Sequence, residues 1–232
     1  MTLSVITICQ DEETTIRWFL ECCVVLKEKL KESLTEIVIV DGGSIDTTIA
    51  VIEEFRDKLP LIVFTYPFDT WGKQRNRALE KCTGDLIFSP DADMTWTNNL
   101  GDCVKGGKFN LSDFWNLQVR FTVQDRHHFS SADGVGGSLR IWKRGPVFIT
   151  DFHERLHHQP VSPPVMPDVH IFENSLLLTD EQLLNRGKRL QKYAVELKAN
   201  GNGPGPEDRY VDAKRTALQH ALQLPDNLIG ML

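Results

Sequence analysis

The chain has no apolar run approaching the roughly 18 residues that cross a bilayer as a helix. Its opening, "MTLSVITICQDEE", also lacks the basic start and apolar core of an export signal. A cytosolic protein without a transmembrane segment is the expectation, at most peripheral at the inner membrane face. Cysteine is scarce: five residues, Cys9, Cys22, Cys23, Cys82 and Cys103, sit in apolar runs with no paired CxxC spacing. That excludes a disulfide framework or a zinc knuckle and leaves reduced, structural thiols. Basic residues are outnumbered, 26 Lys+Arg against 32 Asp+Glu, for a formal charge of −6. Nucleic acid is therefore not an expected partner, and an acidic protein that handles phosphates needs a cation. There is no internal repeat, no low-complexity tract, and no glycine-rich phosphate loop after the first apolar run, where "TICQDEETT" stands.

What is present is a core. At 232 residues and 41% hydrophobic, the chain suffices for one sizeable α/β domain with an appendage. "LSVITIC" reads as a strand, and in "DEETTIRWFLECCVVLKEKLKE" Ile16, Phe19, Leu20, Cys23, Leu26 and Leu30 recur at helical spacing. Acids opening that helix and lysines closing it suit the macrodipole. "EIVIV" precedes the turn "DGGS" and a helix with Ile49, Ile52 and Phe55 inward, "LIVFTY" precedes the helical "KQRNRALEKC", and "DLIFS" follows. Four strand–helix alternations with short links predict a parallel sheet covered on both faces. Further on, "FWNLQVRFTV" and "GGSLRIW" read as an antiparallel addition separated by a loop near "QDRHHFSSADGVG". "HHQPVSPPVMPD" reads as loop, "TDEQLLNRGKRLQKYAVELKA" as a long helix with Thr179 and Gln182 at capping-box spacing, and "EDRYVDAKRTALQHALQL" as a last amphipathic helix.

Ligands of such sheets sit beyond the carboxyl ends of the strands. Asp11, Asp41 and the Asp91/Asp93 pair of "GDLIFSPDADMTW" all fall just after a strand. A DxD pair alone is weak evidence, because solvated turn acids have the same pattern. Its place lifts it, since hard cations such as Mn2+ or Mg2+ take carboxylate oxygens there and bridge to phosphates. Asp41 has two readings of comparable weight, a turn former ahead of two glycines and an acceptor for a nucleobase N–H. Lys73, Arg75 and Arg77 at a helix start suit a diphosphate or a solvated basic face.

"SVITICQDEETTI", "EIVIVDGGSIDTT" and "WGKQRNRALEKCTGDLIFSPDADM" together resemble the nucleotide-binding half of a family 2 glycosyltransferase with the GT-A fold. With "GGSLRIWKRG", "DFHERL" and "HIFENS…KRLQKY", the resemblance is especially to small bacterial enzymes that add sugars to lipopolysaccharide cores, over roughly residues 2 to 195. It implies a Rossmann-like, mostly parallel sheet with a small antiparallel addition and C-terminal helices. The expected catalytic domain is 1–175, with a nucleotide half 1–98 and an acceptor half 99–175, followed by a helical extension 176–232. The implied donor pocket comprises Cys9, Asp11, Glu12, Asp41, Gly43, Lys73, Arg75 with Asn76, Asp91 and Ala92. Asp91 would contact ribose or metal-bound water, and Asp93 would bind Mn2+ or Mg2+, with His153 or His170 as a further ligand. The chain departs from the family pattern at Asp11, where Asn is usual, at Gly42, where many relatives have Asp, and at Met94, where the nearest relatives have an acid.

The family's Glu-Asp base pair is also missing, which passes that role to "DFHERL": Glu154, with Asp151 the alternative carboxylate. The implied reaction is metal-dependent transfer with inversion from a nucleotide-diphosphate sugar to a glycan or lipid-linked hydroxyl acceptor. A nonenzymatic sugar-nucleotide binder and a sugar-phosphate nucleotidyltransferase are the alternatives. The apolar face of the tail, Tyr210, Ala213, Ala217, Leu218, Ala221 and Leu222, is expected to make protein contacts, within the chain or in a homodimer.

Overall fold

A computed structural model describes residues 1–123, 125–130, 136–149, 156–196 and 221–223. β1 (Leu3–Cys9), β2 (Leu34–Asp41), β3 (Leu61–Thr65) and β4 (Leu86–Phe88) are parallel, in the order β3-β2-β1-β4. They are linked through α1 (Ile16–Leu30), α2 (Thr48–Glu53) and α3 (Trp71–Leu79). The unalternating apolar runs of β1 and β2 follow from cover on both sides. Leu3, Val5, Ile37 and Ile39 pack with Phe19, Leu20 and Cys23 of α1 and Ile52 of α2. Ile6, Val38 and Val40 face Ala78 of α3 with Trp142 and Phe148.

The sheet continues beyond β4. β5 (Met94–Trp96) pairs antiparallel with β9 (Val165–Glu173), and β8 (Gly136–Lys143) runs antiparallel to β4 and to β6 (Phe114–Val123). β9 returns parallel to β6, while β7 (Asp125–Ser130) and β10 (Ala221–Gln223) extend the far edge, making ten strands among the described residues. α4 (Leu100–Lys105) lies against α1, and α5 (Asp180–Glu196) follows β9.

The structure corrects four expectations. No acid stands in the first turn of α1, which begins at Ile16; Asp11 and Glu13 lie in the preceding loop and accept from the Ile45 and Thr47 N–H groups instead. The lysines do close that helix. Part of the proline-rich stretch is strand, because β9 starts at Val165 and its Pro167 falls where the register with β6 slips, a position that needs no ladder N–H. Residues 125–130, expected in a loop, form β7. Residues 221–223 are strand against that same β7, not helix; the rest of the expected tail helix lies outside the described residues.

Candidate functional site

The carboxyl ends of β1 and β2 are laced together by short polar residues. Asp41, 1% exposed, uses both oxygens on its own turn, accepting from the N–H groups of Gly43 and Ser44 and from the Ser44 hydroxyl at 2.5 Å. Gly43 sits at φ 97, a conformation that favours glycine. Asp11, itself at φ 53, donates its N–H to Ser44 Oγ and accepts from Ile45 at 2.8 Å. The Glu12 N–H donates to Thr48 Oγ1, and the Thr15 hydroxyl donates to Glu12 Oε2. These contacts make Asp41 the former of its own turn.

Beyond β4, the loop Ser89–Asp93 is cross-braced from other elements. Asp91 is gripped by Arg75 of α3 and by Arg140 of β8, whose Nη2 donates to Oδ2 at 2.8 Å and Nη1 to Oδ1 at 3.1 Å. Arg75, 2% exposed, also donates to Ser89 Oγ, and Arg140 to the Ser89 carbonyl. Burial alone would raise the Asp91 carboxyl, but Arg140 and then Arg75 outweigh it and hold it well below the usual range. Asp91 is a fixed anion.

Asp93, unlike the partly exposed Asp91, is buried. Its backbone carbonyl accepts from the N–H and side-chain amide of Asn174, which locks the loop to the end of β9. Arg186 Nη2 of α5 donates to Oδ2 at 2.8 Å, and Nη1 stands 3.7 Å from Glu12 Oε1. Oδ1 is buried and makes no hydrogen bond among the described residues. Glu173, at the end of β9, accepts from Ser175 and is pushed up to about 8 by burial and then by the charge of Asp93.

The family model for glycosyl transferase family 2 matches residues 4–148. The chain belongs to that family. It is 38% identical over 94 residues to the lipopolysaccharide core biosynthesis glycosyltransferase LpsC of Rhizobium meliloti (strain 1021). That match covers 40% of this chain and 32% of LpsC, so the matched stretch spans about a third of the relative's length. The fold is that of TarS 1–349 from S. aureus in complex with UDP: TM-score 0.58, 18% identity, 94% of this chain and 71% of that one. It is also that of the mannosyltransferase PcManGT from Pyrobaculum calidifontis in complex with GDP-Man and Mn2+: TM-score 0.55, 19% identity, 91% of this chain and 68% of that one. The sheet is thus the GT-A fold of family 2.

At the carboxyl ends of the strands the structure brings Asp11, Glu12, Asp41 and Gly43 together after β1 and β2 and Arg75, Asp91 and Asp93, with Ala92 between the two aspartates, after β4, with Arg186 between Glu12 and Asp93. Cys9 ends β1, its thiol pushed well up by burial and then by Asp41. Lys73 is exposed in the first turn of α3, capped by Thr70, while Arg77 turns away to pair with Asp69 at 2.7 Å and stack on Tyr66. Asn76, expected in the pocket, instead fastens the backbone of Phe148 through both amide atoms. His170 is not beside Asp93: its carbonyl pairs with Thr97, three residues before Glu173 along β9. That places it four positions, about 13 Å, along the strand from Asn174, the residue that pairs with Asp93. Asp151, His153 and Glu154 lie outside the described residues. Sequence reasoning missed Arg140, the one charge inside "SLRIW", as well as Arg186 and Glu173.

Asp93 Oδ1, a hard oxygen held in place with a lone pair to spare, fits a divalent cation. Among the described residues no three His, Cys, Asp or Glu side chains gather to hold a metal without other ligands.

Proposed function

We propose that the chain is a metal-dependent, inverting glycosyltransferase that moves a sugar from a nucleotide-diphosphate donor to a hydroxyl of a glycan or lipid-linked saccharide. The observation that carries this reading is the Asp91–Asp93 loop at the carboxyl rim, where one carboxylate is clamped by two arginines and the next offers a buried, unbonded oxygen. Asp93 would hold Mn2+ or Mg2+ together with the donor's phosphates, and the ion would draw charge from the departing diphosphate. Asp91 faces the ribose, and Lys73, at the start of α3, meets the diphosphate. Cys9, Asp11, Glu12, Gly43 and Ala92 wall the nucleoside, and Asp41 shapes that wall by holding its turn. Glu154 takes the acceptor's proton, Asp151 being the second candidate, and His153 is a further candidate metal ligand. That UDP occupies TarS, and GDP-Man with Mn2+ occupies PcManGT, supports a nucleotide sugar as donor.

The test is a panel of UDP- and GDP-sugars assayed for Mn2+-dependent hydrolysis and thermal shift. Asp93→Asn is expected to lose roughly 10³-fold in turnover with an unchanged circular dichroism spectrum, the scale of losing metal-ion catalysis. Glu154→Gln is expected to lose roughly 10² to 10⁴-fold while keeping donor affinity. Full Mn2+-dependent turnover in Asp93→Asn overturns the reading; loss in Asp151→Asn but not in Glu154→Gln moves the base.

A further inference from the structure

Helix α5 reaches the site with the side chain of Arg186. Its start is fixed by a reciprocal cap, in which the Thr179 N–H donates to Gln182 Oε1 at 2.9 Å and the Gln182 N–H to Thr179 Oγ1 at 3.2 Å. Gln182 Nε2 then donates to Thr14 Oγ1 at 3.0 Å, in the loop before α1, and Leu183 is fully buried beside Leu178. Four positions after Gln182, on the same helical face, Arg186 meets Asp93 and Glu12. The three side chains are 19%, 2% and 10% exposed.

We propose that Arg186 is a positioning residue for the donor's diphosphate, presenting the charge of α5 to the cation and the leaving group together. This rests on the reading of Asp93 given above. The guanidinium takes Oδ2 of Asp93 and thereby directs the unbonded Oδ1 to the cation position. A divalent ion on Oδ1 without a nucleotide meets a guanidinium on the same carboxylate, and the two cations repel. A diphosphate between them removes that repulsion and gains a forked donor. Arg186 therefore opposes the bare ion and favours the ion with diphosphate, so the two affinities shift in opposite directions when it is removed. An arginine that merely fastens α5 to the domain leaves both affinities alone or lowers both.

The experiment uses the full chain. Mn2+ alone is titrated by electron paramagnetic resonance, and uridine and guanosine diphosphate are titrated by calorimetry at saturating Mn2+. In Arg186→Met, Mn2+ is expected to bind at least about threefold more tightly. The nucleoside diphosphate that the wild type prefers is expected to bind about tenfold or more weakly, the scale of a lost charge-assisted hydrogen bond. Arg186→Lys, which keeps the charge without the fork, is expected to restore the Mn2+ affinity and only part of the diphosphate affinity. Gln182→Ala, which cuts the Thr14 anchor and leaves the charge, serves as the docking control and is expected to move any affinities together. Parallel shifts in Arg186→Met, or none, overturn the proposal while leaving the Asp93 reading intact. If Arg186→Met does not fold, wild-type diphosphate affinity in Arg186→Lys overturns it. A wild type that binds neither Mn2+ nor either diphosphate removes the Asp93 reading itself, and this inference with it.

Discussion

The two ends of the same parallel strands treat carboxylates in opposite ways. At the amino end, Glu36 is surrounded by neutral donors: the Ser4 hydroxyl, the Thr83 N–H at 2.8 Å and the Thr83 hydroxyl at 2.7 Å. Gly84 beside them has its N–H on Ser4 Oγ at 2.8 Å, and a Cβ there would come within 2.6 Å of the Ser4 nitrogen. That end is closed, with its polar groups satisfied by the strands that meet there. At the carboxyl end, Asp91 and Asp93 depend on arginines from β8 and α5, and one Asp93 oxygen is left over. Neutral donors make a joint; cations and an open oxygen make a place where charge is exchanged.

The sharpest way to break the comparison is to force the closed end open. Gly84→Ala drives a methyl into backbone atoms of Leu3 and Ser4, which no flexible side chain can relieve. A loss of about 2 to 3 kcal/mol in urea unfolding is expected, at the upper part of the range for overpacking. A variant as stable as the wild type would mean that the joint has slack. At the open end, Arg140→Met leaves Asp91 with Arg75 alone and removes the donor to the Ser89 carbonyl. Because Asp91 is a third exposed, the expected loss is smaller, about 2 kcal/mol at pH 7, and nucleotide affinity should fall with it. Unchanged unfolding and unchanged affinity together would show that Arg75 suffices.

How far the sequence carries follows from the same contrast. β1, β2 and β4 were legible because buried parallel strands are continuous apolar runs, β3 because it is an apolar run although it lies half-exposed at the edge, and α1 because its core residues keep helical spacing. The rim position of Asp91 and Asp93 was legible for the same reason: it lies within a few residues of β4. Their partners were not, because Arg140 and Arg186 stand 49 and 93 positions away, and a pattern read in short windows holds no such pairs. Asp41 carried two readings because turn formers and ligands share the same local pattern, and the bonds to Gly43 and Ser44 that make it a turn former are not visible in that pattern. Pro167 misled because it marks a loop in most contexts, while here a slipped register admits it to β9.

The smallest effect concerns Glu36 and tests whether the closed end is a joint of neutral donors. Burial raises its carboxyl, but the donors from Ser4 and Thr83 outweigh that and hold it below the ordinary value. A carboxyl lowered on folding contributes stability that is present above its unfolded value of about 4.3 and is lost as pH falls through the folded value. Wild-type stability is therefore expected to decline as pH drops below about 5, with Glu36 supplying part of the slope. Glu36→Gln keeps the size and one acceptor oxygen for the Thr83 N–H and the Ser4 hydroxyl, while its NH2 faces the Thr83 hydroxyl, which must turn from donor to acceptor and gives up a bond to a charged oxygen. The variant should be about 1 kcal/mol less stable at pH 7, the net worth of one such bond, and the gap to the wild type should narrow as pH approaches 3. Urea unfolding of both proteins at pH 7, 5 and 4 measures this. A constant gap at all three values would show that the charge on Glu36 contributes nothing, and that shape alone holds this end of the sheet.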